Sequence, residues 1–250
     1  MILNRSAQQK LMKLDILAFG VHPDDVELGC GGAIIASVRQ GKKVGIIDMT
    51  RGELGSRGTP QTRAAEAAVA SKILQVSARE NLEMADGFFQ ITQENTLKVI
   101  RAIRKYQPEV LICNAPRDRH PDHGRSSQLV KEAAFLSGLV RIETEVDGVA
   151  QELWRPKHLY HYIQDDYIEP DFIFDISESF VERQKAILAY TTQFNVVAGD
   201  GLQTYISKPQ FIEGVEARAK LFGKRIGVDY GEGFLRTRAL GVNSFDKFTV

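Results

Sequence analysis

Two apolar runs in this chain end in closely similar polar clusters, and that pairing limits what it can fold into. Residues 14–20 (LDILAFG) lead into His22-Pro23-Asp24-Asp25, and residues 109–114 (EVLICN) lead toward His120-Pro121-Asp122-His123. A short apolar run bounded by turn residues reads as a strand covered on both faces, the kind found in parallel sheets. In an open α/β sheet, residues just past the carboxyl ends of strands line the ligand crevice. Two clusters far apart in sequence can therefore meet at one point. Together they hold three of the five histidines. Two imidazoles and one carboxylate, with water as fourth ligand, are the residue types of a catalytic zinc site.

Strand and helix patterns alternate along the chain. Residues 28–40 read as a helix stopped by Gly41, 43–49 as a strand, and 61–74 as an Ala-rich helix. A short strand at 80–84, a helix at 95–106 and a helix at 123–136 follow. This order predicts parallel βαβ units with right-handed crossovers. Residues 140–156 read as a loop or short hairpin. Strands resume at 158–163 and 171–176, and helices at 178–190 and 209–225. The last 25 residues hold four glycines and little periodicity, and no element is assigned there. The expected fold is α/β: a Rossmann-like, mostly parallel sheet with helices on both faces over 13–140, and a smaller C-terminal α/β extension over 141–250. Both belong to a single domain behind a patternless tail at 1–12. Residues 1–11 are expected to take no part in the chemistry.

Composition removes several functions. Lys plus Arg and Asp plus Glu both number 32, so the net charge is zero and no basic footprint for nucleic acid exists. No apolar stretch has the length of a membrane span, and the first residues lack the apolar core of a signal peptide. Cys30 and Cys113 make no disulfide framework and read as reduced core residues. A cytoplasmic enzyme acting on a small molecule is the expectation.

The segment 20–32 (GVHPDDVELGCGG) has the strand–turn–helix context of a ligand loop. It is no dinucleotide fingerprint, since G-x-G-x-x-G is missing and adjacent acids repel a pyrophosphate. Neighbouring carboxylates can point apart, one to a metal and the other to the proton of an attacking water. In the second cluster one imidazole can ligate while the other stands beside a substrate carbonyl, and Asp122 can accept a hydrogen bond from a ring nitrogen. Either cluster alone reads equally as a helix-capping turn. Both following strands is what favours a site.

These residues resemble the PIG-L/LmbE-type zinc-dependent N-deacetylases. The resemblance runs through ILAFGVHPDDVELGCGG, DMTRGELGSRGT, RDRHPDH and KLFGKRIGVDYGEGF, and so covers most of the chain. The TRGELGSRGT loop and the C-terminal segment look like the bacillithiol-pathway branch, which deacetylates N-acetylglucosaminyl-malate. The resemblance implies zinc held by His22, Asp25 and His123, with iron(II) a possible occupant of the same N/O donors. It implies Asp24 as general base and then acid, and His120 as the cationic stabiliser of the oxyanion, oriented by Asp122. It implies Arg63 and Asp86 as contacts to sugar hydroxyls, and a homo-oligomer. Some relatives carry a tyrosine two residues before the stabilising histidine; here that position is Asp118, and Arg119 is expected to replace it in part. Arg51 and Arg57, in a loop longer than the usual α/β connection, are candidates to grip the carboxylates of a malate. Solvated loop arginines are the bland account of both. Tyr230, Glu232 and Arg236 are read either as a lid or as loop packing.

Two other readings compete. One is deacetylation of a different acetylated sugar, such as a chitooligosaccharide or an antibiotic precursor. The other is a metal- or sugar-binding module without activity, since a fold does not fix a function. The full set of His22, Asp24, Asp25 and His123 disfavours the second.

Overall fold

The computed structural model describes residues 12–194 and 202–248, so the tail at 1–11 lies outside the described residues. The elements follow the alternation. They run β1 (Ile16–Gly20), α1 (Asp25–Arg39), β2 (Val44–Thr50), α2 (Pro60–Leu74), β3 (Ala78–Met84), α3 (Gln93–Tyr106), β4 (Val110–Asn114) and α4 (Pro121–Leu136). A small hairpin, β5 (Glu145–Val146) with β6 (Val149–Ala150), occupies the irregular stretch. Then come β7 (His158–Tyr162), β8 (Phe172–Asp175), α5 (Phe180–Leu188), the short α6 (Thr191–Phe194), α7 (Pro209–Ile226) and β9 (Gly231–Arg236).

Among the described residues seven strands form one sheet, in the order β3-β2-β1-β4-β7-β9-β8. The pairs among β3, β2, β1, β4 and β7 are parallel, and β9 runs antiparallel to both its neighbours. Alternate residues of each strand feed opposite faces. Leu17, Phe19, Ile47, Met49, Leu111 and Cys113 pack with Val99 and Ile103 of α3 and Leu129 and Val130 of α4. Ala18, Val44, Ile46, Ile112 and Tyr162 pack with Ile34 and Ile35 of α1 and Leu74 of α2. Helices thus cover both faces, as the pattern predicts. No described helix is long and apolar enough to cross a membrane.

Strand order reverses between β1 and β4, so a crevice opens at their carboxyl ends. The first cluster leaves β1 there and the second leaves β4. Helix α1 can start this close to the sheet because of Gly29. A Cβ at that position would fall 2.1 Å from the Tyr162 ring.

Strand β9 has no counterpart in the sequence pattern. Its inward positions include Gly233, where a Cβ would sit 2.7 Å from the Phe222 ring of α7. Glycine removes the very side chains whose alternation marks a strand. The lid reading of Tyr230, Glu232 and Arg236 is corrected accordingly, because Glu232 lies in β9 and is buried. It serves α1, whose backbone departs from helix at Cys30 (φ −149°, ψ 18°). The half beyond that break needs its own N-terminal acceptor, and Glu232 supplies it. Its Oε1 accepts from Gly32 N at 2.9 Å and its Oε2 from Ala33 N at 2.8 Å. Arg183 of α5 pairs with Glu232 at 2.8 Å and donates to the Leu28 carbonyl at 2.7 Å.

Candidate active site

The two clusters meet. The His22 and His120 ring centroids are 4.7 Å apart, those of His120 and His123 5.4 Å, and those of His22 and His123 5.8 Å. They share a cavity of about 310 Å³ whose walls also carry Asp24, Asp25, Leu54, Arg63, Asp86, Arg119, Gln164 and Tyr205. Gly52, Leu54, Gly55 and Ser56 of the β2–α2 loop form part of the wall, which accounts for the length of that connection.

Asp25 is the hub. Its Oδ2 accepts from the backbone N–H groups of Val21 and His22, each at 3.0 Å. That oxygen lies 3.6 Å from His22 Nδ1, while Oδ1 lies 3.3 Å from His123 Nε2. The outer nitrogens of the same two rings are held by other carboxylates. His22 Nε2 meets Asp86 Oδ1 at 2.9 Å, and His123 Nδ1 meets Asp118 Oδ2 at 2.7 Å. An imidazole whose far nitrogen donates to a carboxylate is fixed in tautomer and strengthened as a ligand. His22, Asp25 and His123 thus offer nitrogen and oxygen donors of the kind that could hold a divalent cation. One nitrogen from each of the three imidazoles also falls within 4.8 Å of the others. His120 is nevertheless the poorer ligand. It caps α4 by accepting from Asp122 N on its Nδ1, at 3.3 Å. Its proton therefore sits on Nε2, which makes that nitrogen a donor.

Carboxylates dominate the potential around both imidazoles. Burial alone lowers the pKa of a histidine, yet hydrogen bonds and charge from Asp25 and Asp86 raise His22 to about 10. At His123, burial is likewise outweighed, here by Asp25 and Asp118, and the pKa stands at about 9. Asp25 is buried too, but the two histidines hold its carboxyl well below the ordinary range.

Asp24 differs from its neighbour. Burial raises it to about 7 against the opposing charge of Arg63, whose Nη2 lies 2.9 Å from Asp24 Oδ2. A carboxyl near neutrality is matched to proton transfer. Its backbone has φ 132°, in a region that favours glycine, and such strain persists only where surrounding structure imposes it.

Several expectations change. For His120 the expected cationic role meets two opposing observations: Nδ1 accepts from the Asp122 backbone N–H, and burial, then the charges of His22 and His123, lower its pKa. His120 offers the cavity a neutral Nε2–H. Asp122 does not orient it through a carboxylate, because those oxygens are taken by Gly87 N at 2.8 Å and Arg125 Nη1 at 2.5 Å. The contact with His120 runs through the Asp122 backbone N–H instead. Arg63 and Asp86 line the cavity, but they are engaged with Asp24 and His22. Arg51 and Arg57 do not line it. Arg51 faces Glu83 at 3.7 Å on the surface, and Arg57 donates to the carbonyls of Thr192 and Leu202. Arg119 does line it, paired with Asp165 at 2.6 Å and lying over the Tyr205 ring. Asp118 and Gln164 were not expected in the site. Asp118 sits in the second cluster's own sequence, five residues before the histidine it holds; no sequence signal marks Gln164.

The chain is similar to several known proteins. Diacetylchitobiose deacetylase of Thermococcus kodakarensis is 24% identical over 230 residues, covering 87% of this chain and 81% of that protein. The crystal structure of conserved protein TT1542 from Thermus thermophilus matches with a TM-score of 0.81 at 36% identity, covering 92% of this chain and 98% of that one. GalB, the 4-carboxy-2-hydroxymuconate hydratase of Pseudomonas putida, matches with a TM-score of 0.73 over 92% of this chain and 98% of its own; at 18% identity it shares the fold. The family described as PIG-L, GlcNAc-PI de-N-acetylase, matches residues 17–134, the stretch that carries both clusters. Residues 17–134 thus carry a PIG-L domain, the GlcNAc-PI de-N-acetylase type, with both clusters inside it.

Proposed function

We propose that this protein is a metal-dependent N-deacetylase that releases acetate from an N-acetylated amino-sugar conjugate. The observation that carries the proposal is the pinning of His22 and His123. Their outer nitrogens lie on Asp86 and Asp118, and their inner nitrogens face Asp25. Zinc is the metal we favour, and iron(II) suits the same donors, because availability as well as affinity selects the ion. A divalent cation held by His22, Asp25 and His123 supplies Lewis acidity, polarising an amide carbonyl and acidifying water.

The remaining steps belong to side chains. Asp24 Oδ2 is engaged by Arg63, which leaves Oδ1 to take the proton of the attacking water. The same carboxyl then returns the proton to nitrogen, so that the amine leaves neutral. His120 Nε2–H donates to the oxygen that gains negative charge as the carbonyl carbon becomes tetrahedral. The fold alone does not select this reaction, since a hydratase shares it. Asp24 beside the His22–Asp25–His123 set is what favours hydrolysis.

Within this chemistry we favour N-acetylglucosaminyl-malate, converted to glucosaminyl-malate and acetate as in bacillithiol synthesis. Arg119 takes the part first given to Arg51 and Arg57, as the arginine on the cavity wall whose side chain is partly open to solvent. Diacetylchitobiose is the competing substrate, raised by the Thermococcus relative. Acetate release should be measured from N-acetylglucosaminyl-malate, diacetylchitobiose and N-acetylglucosamine, before and after chelation. We expect chelator-sensitive release, fastest from the malate conjugate. No release from any acetylated sugar by metal-loaded protein rejects the deacetylase. Equal use of the conjugate and the free sugar rejects only the malate.

A further inference from the structure

We infer that Gln164 is a positioning residue for cation binding: it fixes the Asp25 oxygen that faces His123. The inference rests on the metal-dependent reading above. Gln164 follows β7, and the sheet order sets β7 beside β4, so the residue arrives at the cavity from the side opposite β2. It is 7% exposed.

Its amide donates through Nε2 to Asp25 Oδ1 at 2.7 Å. Which end of the amide faces Asp25 follows from chemistry, because an ionised carboxylate only accepts. Oε1 is thereby turned into a buried position where no donor meets it. Burying an amide with an unanswered carbonyl is unfavourable, and a methionine of similar size would avoid it. Packing alone therefore gives no reason for glutamine here.

What the amide gains is one bond, and its target is specific. Asp25 Oδ2 is held by two backbone N–H groups and, at 3.3 Å, by Asn114 Nδ2. Oδ1 has Gln164 as its short partner and His123 Nε2 at 3.3 Å. Without Gln164 the carboxylate stays anchored at one oxygen, while the oxygen turned toward His123 loses its fixed donor. A cation bound by both groups then meets a less ordered ligand.

The test uses the full chain stripped of metal by a chelator, as wild type, Gln164→Met and Gln164→Ala. Co²⁺ alone is titrated, followed by its visible d–d absorption and by calorimetry. Loss of an outer-sphere partner weakens metal affinity about 10- to 100-fold. We expect a Co²⁺ Kd raised by that factor in both variants, with a shifted absorption band. We also expect the metal-free Tm of Gln164→Met to equal or exceed that of wild type, since the unanswered carbonyl is gone. A lowered metal-free Tm with unchanged Co²⁺ affinity and spectrum gives Gln164 a purely structural role and overturns the inference. Should Gln164→Ala fail to fold, the Met variant decides. A wild type that binds no Co²⁺ overturns the metal reading itself, and the inference with it.

Discussion

The Asp118 carboxylate lies 2.7 Å from His123 Nδ1 and also accepts from the backbone N–H groups of Arg119 and Asp166, each at 2.8 Å. One buried side chain thus sets the tautomer of His123 and ties the loop after β4 to the loop after β7. Asp118→Ala should weaken metal retention about 10- to 100-fold. Metal content after dialysis against a chelator buffer checks this. Wild-type retention would mean that His123 needs no outer partner.

Asp24→Asn should keep its metal and lose roughly two to four orders of magnitude in turnover, the scale of a general base. The pH dependence has a definite sign. A base works ionised, and burial raises Asp24 to about 7, so activity should fall as the pH drops through its acid limb. A bound cation favours the carboxylate and moves that limb lower. Arg63 also opposes the upward shift, so Arg63→Met should move the limb to higher pH. A limb that stays in place in that variant separates Asp24 from the observed titration.

His120 should act as a neutral donor. His120→Ala is expected to reduce turnover about 10²- to 10³-fold, as for other lost oxyanion donors, with little change in KM. His120→Gln, which keeps a neutral N–H, should recover part of the loss. A variant restored only by a permanent positive charge would return the residue to the cationic role.

Substrate preference should follow Arg119. Arg119→Met is expected to lower kcat/KM for the malate conjugate about tenfold to hundredfold while sparing the free sugar, as for loss of a charge-assisted contact of roughly 1.5–3 kcal/mol. Arg51→Met should leave the preference in place, because that side chain lies on the surface against Glu83. Kinetics on both substrates distinguish the two, and an effect of Arg51 alone would reverse the assignment.

Gly29→Ala tests the seating of α1. The added Cβ enters the Tyr162 ring, and overpacking of this kind costs about 1–3 kcal/mol. Thermal melts should show a lower Tm, and turnover should fall as well, because α1 begins at Asp25. A neutral substitution would show that Tyr162 has room to move.

The sheet and both clusters were legible because each is local. Ile16–Gly20 is apolar, Val110–Asn114 is apolar up to its last residue, and each stands a few positions before its polar cluster. What escaped detection is set by tertiary neighbours. β9 was hidden by Gly231 and Gly233, whose missing side chains make room for Ile173 and Phe222. Asp86 reads as a sugar contact until the fold places it on His22, 64 positions away. Gln164 joins the site only because β7 pairs with β4. Arg51 and Arg57 were misjudged because a loop's sequence does not say which of its side chains face the cavity.

Glu232 has a consequence for the order in which the molecule can be finished. The N–H groups of Gly32 and Ala33 receive their carboxylate from a residue 200 positions later. A chain emerging from the ribosome therefore presents both polar clusters long before the helix behind Asp25 is complete. Strand β9, the last among the described residues, slots between β7 and β8 and brings Glu232 to that helix. Maturation of the site thus waits on β9, and a product cut short before that strand would carry the residues of the site without the support that holds them.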